Sequence, residues 1–340
     1  MARPAVASPS GPAVDPFSPF ATPAASCDLS LVIVSYNTAP LLAACLRSVE
    51  RALGDAALPR GAEVWVVDNA SADNSAAMVA AEFPSVRLIA NESNRGFSAA
   101  NNQAVRQAGG RYLLLLNPDT ELLGDALPAL MTYLEEHPDV AMVTGRLVNP
   151  DGSHQHSAFR LPGLWQAFLD LFPLHPRLIE SRLNGRYPQE AYAAPFEIDH
   201  SLGACMLVRR EAVAQVGPLS EDYFLYCEEI DWCWRLKAAG WRIVCVPAAR
   251  VLHHAGAATR QQRATSFVLL YRSRFTLYDR IHPPWRRLAF RAIVALGMLK
   301  ELLKSAVSAT QDEERSAWRA ACREVLGMAW RGAGGQPSPP

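Results

Sequence analysis

The chain has 340 residues, half of them hydrophobic and 19% charged, enough to bury a sizeable core in one large domain or two. Its 33 basic and 33 acidic residues cancel at pH 7, so no global charge draws it to nucleic acid. Seven scattered cysteines without a Cys-x-x-Cys pair indicate neither a disulfide framework nor a zinc site, and a reducing cytoplasm fits them best.

Residues 1–28 are rich in Ala, Pro and Ser and nearly free of charge, which reads as a disordered lead-in. Arg3 without a sustained apolar core behind it argues against a secretory signal, and no run of about 18 uncharged apolar residues offers a spanning helix. From Leu29 the pattern predicts a strand through Val34, the turn Ser35-Tyr36-Asn37-Thr38 and a helix from about Pro40 to Leu53. A second strand, Glu63–Val67, ends at Asp68-Asn69-Ala70-Ser71-Ala72-Asp73, whose Asx and Ser residues cap the helix that follows. Val86–Ala90 is a third strand, and the loop Asn91–Gly96 opens a helix through Ala108. Tyr112–Leu116, an unbroken apolar run, is the central strand buried on both faces. It stops at Asn117-Pro118-Asp119, because proline cannot continue an inner ladder, and so projects Asp119 from the carboxyl edge of the sheet. A helix (Pro128–Glu136) and a strand (Val140–Thr144) follow.

This alternation predicts an α/β fold with a mostly parallel sheet flanked by helices and right-handed crossovers. Residues 149–200 carry no assignable element and read as a surface excursion, with Asn149-Pro150-Asp151-Gly152-Ser153 as a connector turn. Gly203–Val208 is again a strand, and Glu228–Ala239 has helical period with Gly240 as its C-cap. Arg242–Val246 is a strand, and Val251-Leu252-His253-His254 closes the core. Helices at about 262–281, 286–309 and 312–329 and an unstructured tail complete the chain. The expected division is a lead-in at 1–28, a main domain at 29–260, a helical region at 261–330 and a tail at 331–340.

The turns Ser35–Asn37, Asp68–Ser71 and Asn117–Asp119 end three strands of one sheet and should face one crevice. A nucleotide fits that layout. Asp68 could accept hydrogen bonds from a base or ribose, helix-start amides could hold phosphates, and Asp119 could bind a divalent cation, Mg or Mn, bridging a diphosphate. Each turn taken alone serves equally well as a helix cap. No glycine-rich dinucleotide fingerprint follows the first strand and no P-loop occurs, which counts against an NAD enzyme and a P-loop NTPase.

Together these blocks resemble glycosyltransferase family 2. They are Val-Ile-Val-Ser-Tyr-Asn, Val-Val-Asp-Asn-Ala-Ser, Asn94 to Phe97, Asn101-Asn102, Asn-Pro-Asp, Gly-Ala-Cys-Met and Tyr-Cys-Glu-Glu-Ile-Asp-Trp-Cys-Trp-Arg, in the family's order from about Leu29 to Thr259. The Asn-Pro-Asp form is most similar to the bacterial rhamnosyltransferase-like subgroup. The resemblance implies a GT-A fold and inverting transfer of a sugar from a nucleotide-diphosphate donor, such as dTDP-rhamnose or a UDP-sugar, to a glycan or lipid-linked acceptor in cell-surface polysaccharide synthesis. It implies that Ser35, Tyr36, Asn37, Asp68, Asn94, Gly96, Asn102 and Asn117 surround the donor. It further implies that Asp119 is the metal-binding end of the family's Asp-x-Asp, and that Glu228-Glu229 supplies the base. Asn117 replaces the first acid of that motif, and Glu229 stands where relatives often carry Asp.

On a helix Glu228 and Asp231 share a face and Glu229 lies about 100° round, so the three cannot serve one centre. Glu229 is the expected base, with Glu228 beside it, against the alternatives of a solvated face or a partner for Arg235. Trp232, Trp234 and Tyr226 flank it and could stack on an acceptor or pack the core. Of His253 and His254, His253 better matches the family pattern as a second metal ligand. Ala258-Thr259 stands where relatives often carry Ser. Trp285-Arg286-Arg287 leads an apolar helix too short to span a membrane, which either lies on anionic lipid or packs on the catalytic domain. The expected place is the cytoplasm, peripheral to the inner face of the membrane. A non-catalytic sugar-nucleotide-binding homologue is the competing expectation.

Overall fold

The computed structural model of the protein describes residues 25–255, 263–307 and 313–331. The lead-in before residue 25, Ala258-Thr259 and the tail after Arg331 lie outside the described residues. Strand β1 (Cys27–Ser35) starts within the expected lead-in and sets the pattern of the sheet. Its Leu29, Leu31 and Ile33 enter one hydrophobic cluster, and its Val32 and Val34 enter another on the opposite face. Helix α1 (Ala39–Asp55), β2 (Ala62–Asp68), α2 (Ser75–Glu82), β3 (Arg87–Ala90), α3 (Phe97–Val105) and β4 (Gly110–Leu116) continue as parallel βα units. In β4 the unbroken apolar run divides the same way: Tyr112, Leu114 and Leu116 to the first cluster, Leu113 and Leu115 to the second. Helices α1 and α2 cover the first face and α3 the second.

After β4 come β5 (Thr120–Leu123), which the sequence pattern did not suggest, α4 (Ala126–Glu136) and β6 (Val140–Val148). The irregular stretch folds into β7 (His154–Gln155), β8 (Ala158–Phe159), α5 (Leu164–Leu171), α6 (Pro176–Ile179), two 3-10 turns, β9 (Phe196–Glu197) and β10 (His200–Ser201). Then follow β11 (Cys205–Arg209), α7 (Arg210–Val216), α8 (Glu228–Ala238) and β12 (Arg242–His253). The main strand order is β3-β2-β1-β4-β11-β6-β12-β5. β11 is antiparallel to both neighbours, because it enters from the excursion through residues 202–204 rather than over a crossover helix.

The two expected pieces, Arg242–Val246 and Val251–His253, are one strand. A register shift between Val246 and Arg250 bulges it away from β6. Gly145 permits this, since a Cβ there would stand 2.5 Å from the Ala249 carbonyl oxygen. Past the bulge, β12 pairs antiparallel with β5, Thr120 opposite His253.

Helices α9 (Arg263–Ile281), α10 (Pro284–Val307) and α11 (Glu313–Arg331) pack with α5 around Phe275, Phe290, Val294, Met298, Cys322 and Val325. Polar contacts tie α9 to the lead-in and body of α8. Ser273 Oγ donates to the Leu225 carbonyl at 2.7 Å, and Arg280 reaches the fully buried Asp231 at 2.8 Å. All seven cysteines are free thiols.

Candidate active site

Three chain reversals converge at the carboxyl edge of β1, β2 and β4. At the first, Ser35 Oγ is paired with Thr38 Oγ1 at 2.9 Å, and Asn37, with φ 55°, accepts the Ala72 amide. The Asn37 amide in turn donates to Ser71 Oγ, so these two turns brace each other. Asp68 Oδ2 accepts the Ser71 amide, while its buried Oδ1 has no protein partner. Beside it Asn69, not named among the expected donor residues, joins the loop that follows β3. Its Nδ2 donates to Asn94 Oδ1 at 2.8 Å and its Oδ1 accepts the Arg95 amide at 3.0 Å.

Gly96 (φ 81°) brings that loop against Phe224. A Cβ at Gly96 would meet the Phe224 carbonyl oxygen at 2.5 Å, the same oxygen that accepts the Phe97 amide at 2.7 Å. This contact fastens the start of α3 to the segment leading into α8. Within that segment Tyr226 and Cys227 both sit in the left-handed region, φ 70° and 68°. For such side chains this costs roughly 1–3 kcal/mol apiece, and it turns the chain sharply so that α8 begins at the cavity wall.

The result is a cavity of about 350 Å³ lined by Tyr36, Asn69, Asn94, Gly96, Asn117, Asp119, Glu228, Glu229 and His253, with Phe97 and Phe224–Tyr226 between them. Asp119 and Glu229, 110 residues apart in the chain, thus line one space. Ser35, Asn37, Asp68 and Asn102 do not line it. The first three brace or underlie its loops, and Asn102 spends its amide on the Leu219 carbonyl and Glu221, joining α3 to the α7–α8 loop. Of the aromatics flanking the acids, Tyr226 lines the cavity. Trp232 is core, its Nε1 donating to Gly217, and Trp234 is half-buried away from the cavity.

The acids of α8 divide by environment. Asp231 is wholly buried and paired with Arg235 and Arg280, each at 2.8 Å. Arg235 therefore belongs to Asp231, not to Glu229. Glu228 is 5% exposed; burial and then repulsion from Glu229 push its carboxyl well above the usual range, and its Oε2 has no protein partner. Burial also raises Glu229, to about 7, against the opposing pull of the Glu229 and Ile230 amides at the helix start. Near neutral pH Glu229 is thus poised to exchange a proton, with the more strongly raised Glu228 beside it. Gly203 packs beside Glu229, and a Cβ there would only touch its side chain, 3.6 Å from the Glu229 Cβ.

Across the cavity, the β5–β12 pairing sets His253 Nε2 3.4 Å from Asp119 Oδ1, and the His254 amide donates to the Asp119 carbonyl oxygen at 2.9 Å. His254 itself turns to Glu121 at 3.3 Å. Asn117 Oδ1, on the same loop, is buried without a partner. One carboxylate, one imidazole and one orphaned amide oxygen fit a divalent cation such as Mn or Mg. Among the described residues no cluster of three or more His, Cys, Asp or Glu side chains forms a closed metal cage. A cation held by these residues would need further ligands, which phosphate oxygens could supply.

The family model described as Glycosyl transferase family 2 matches residues 30–217. The chain is 30% identical over 278 residues to the N-acetylglucosaminyl-diphospho-decaprenol L-rhamnosyltransferase of Mycobacterium tuberculosis, covering 77% of this chain and 88% of that one. It is 32% identical over 169 residues to rhamnosyltransferase WbbL of Escherichia coli, covering 47% and 61%. The mannosyltransferase PcManGT of Pyrobaculum calidifontis, solved with GDP-Man and Mn2+, superposes with a TM-score of 0.52 at 16% identity over 92% of this chain and 88% of that one. With more than half its length matched by the family model and its sheet superposable on such an enzyme, the chain belongs to glycosyl transferase family 2 and is a nucleotide-sugar-dependent glycosyltransferase of GT-A fold.

Proposed function

We propose that the protein transfers a sugar, rhamnose by its likeness to the two rhamnosyltransferases, from a nucleoside diphosphate to a hydroxyl of a glycan or lipid-linked acceptor, with inversion. The observation that carries this reading is the placement of Asp119 and Glu229 in one cavity, the latter with a carboxyl raised to about 7. Asp119, His253 and Asn117 are the residues that would hold a divalent cation near the donor's diphosphate, and such an ion would offset the negative charge developing on the leaving group. Asn69 and Asn94 shape the nucleoside side, and the orphaned Asp68 Oδ1 lies beneath it. Glu229 takes the proton of the acceptor hydroxyl as its oxygen attacks the anomeric carbon, and the nucleoside diphosphate departs with the bonding electrons of the broken C–O bond.

A second cavity of about 210 Å³ supports the acceptor assignment. It shares Leu202, Tyr226 and Glu229 with the first and is otherwise walled by α5, α9 and Phe290 of α10, with the Asp170–Arg274 pair among its lining. Glu229 thus stands between the cavity that holds Asp119 and a second cavity with room for part of an acceptor. The decisive experiment is transfer from dTDP-rhamnose and common UDP- and GDP-sugars to a polyprenyl-diphosphate-linked acceptor, with and without Mn. Transfer from dTDP-rhamnose above the other donors, lost on chelation, is expected; equal rates without added metal would contradict the reading.

Peripheral membrane contact belongs to the same proposal. No helix among the described residues is long and apolar enough to cross a membrane. Helix α10 packs one face through Phe290, Val294 and Met298 but exposes Trp285, Leu288, Leu296, Leu299 and Leu303 on the other. At 100° per residue these five fall within an arc of about 80°, with the exposed Arg286 and Lys304 on its flank. Leu296→Glu with Leu303→Glu should lower partitioning onto anionic vesicles by about tenfold or more in flotation assays.

A further inference from the structure

The turn Asn149-Pro150-Asp151-Gly152-Ser153, expected from sequence to be a mere connector, joins β6 to β7 and leads to a side chain that reaches the cation-binding residues. The hairpin sets Gln155 opposite Leu147, and Leu147 pairs on its other side with Val251 of β12. Gln155 consequently reaches over to His253, with Oε1 2.7 Å from Nδ1. The remaining polar groups of the turn form an unbroken series. Gln155 Nε2 donates to Asn149 Oδ1 at 3.0 Å, Asn149 Nδ2 donates to Ser153 Oγ at 2.9 Å, and Ser153 Oγ donates to Asp151 Oδ1 at 2.6 Å.

The direction of this series is fixed from its far end. A carboxylate only accepts, so the Ser153 hydroxyl must donate to Asp151 and can only accept from Asn149. Asp151 is held ionised below the usual carboxylate range by the Ser153 hydroxyl and then the Ser153 amide. The Asn149 amide therefore turns its nitrogen to Ser153 and its oxygen to Gln155, which turns Gln155 Oε1 toward His253. An oxygen at 2.7 Å from Nδ1 calls for the ring proton on Nδ1, which leaves Nε2 as the nitrogen that faces Asp119 Oδ1, at 3.4 Å. Nε2 facing a carboxylate is satisfied either by a proton, as an ion pair, or by a shared divalent cation.

We infer that Gln155 is a positioning residue that holds the Nδ1–H of His253, so that Nε2 is the nitrogen presented beside Asp119 as a cation ligand. This rests on the metal reading given above and deepens it. The Asn-Pro-Asp-Gly-Ser turn thereby acquires a role, because the Asp151–Ser153–Asn149 series orients Gln155, much as outer partners orient metal-binding histidines elsewhere.

The test uses the full chain, MnCl2 titration followed by electron paramagnetic resonance, and 15N spectra of the metal-free protein labelled at histidine, the His253 signal assigned by its loss in His253→Gln. Wild type should show the Nδ1–H form of His253. Gln155→Leu should lose that form and bind Mn about 10–100-fold more weakly, while Gln155→Glu, which keeps an acceptor at Nδ1, should stay within about threefold of wild type. A neutral His253 protonated at Nε2 alone in wild type would overturn the inference. So would Mn affinity unchanged in Gln155→Leu but lost in Asp119→Ala, and that result would leave the metal reading standing. Wild-type protein that binds no Mn would overturn both.

Discussion

Glu229→Gln is expected to bind donor as wild type does and to lose transfer by about 10²–10⁴-fold, the usual contribution of a general base. Glutamine fills the same space beside Gly203 but cannot take a proton, so binding and chemistry should separate in kcat against donor KM. The wild-type pH profile follows from the same carboxyl. With Glu229 raised to about 7 by burial, kcat/KM should fall tenfold per pH unit below about 7, and the residual activity of Glu229→Gln should lack that limb. Stability moves the other way. A carboxyl whose folded value lies above its ordinary 4.5 binds its proton more tightly in the native state, so its stabilising contribution is present below pH 4.5 and is lost as pH rises toward 7. Glu229→Gln should therefore melt above wild type at pH 8 and level with it at pH 4. A variant that loses activity and also melts lower at pH 8 would point to damage at the start of α8 rather than to a missing base.

Asp119→Ala should fail earlier in the reaction. Removing the single carboxylate of the Asn117-Pro118-Asp119 turn leaves His253 without its neighbour 3.4 Å away, and both Mn binding and metal-dependent donor binding should weaken. The expected loss in kcat/KM is about 10²–10³-fold, in the range of removing one electrostatic contact from a developing anion. Excess Mn should restore part of it if the imidazole and the diphosphate still hold the ion. Asn117→Asp supplies the second acid that the family pattern usually carries, and should tighten Mn binding, because Asn117 Oδ1 already lies buried and unpartnered on that loop.

Much of this arrangement is legible in the sequence. Strand β4 announces itself by an apolar run that only a doubly covered strand tolerates, and the proline after it marks where Asp119 leaves the sheet. The helical period from Glu228 to Ala239 places Glu229 apart from Asp231, and the structure gives those two carboxyls different surroundings. Strand β5 escapes because four residues after a turn carry too little periodicity to register, yet its pairing with β12 is what brings Asp119 to His253. The left-handed Tyr226 and Cys227 escape too. Neither residue type favours that conformation, and it is held by tertiary contacts at Phe224 and Leu225 that local sequence does not encode. Ser35, Asn37 and Asn102 are expected near donor for their polar side chains; in the structure they stand behind the cavity and bond across its loops, with Asn102 Oδ1 left without a partner, a use that residue type alone does not separate from ligand binding.

Membership of glycosyl transferase family 2 counts against a non-catalytic binding homologue, and the roles proposed for Asp119 and Glu229 turn on which way the substrates face. A crystal structure of the protein with Mn and an unreactive nucleoside diphosphate sugar answers it most directly. The account predicts the ion against Asp119 and His253, the diphosphate beside Asn117, and the anomeric carbon turned toward Glu229. A diphosphate bound away from Asp119, or an anomeric carbon with its open face turned from Glu229, would contradict it.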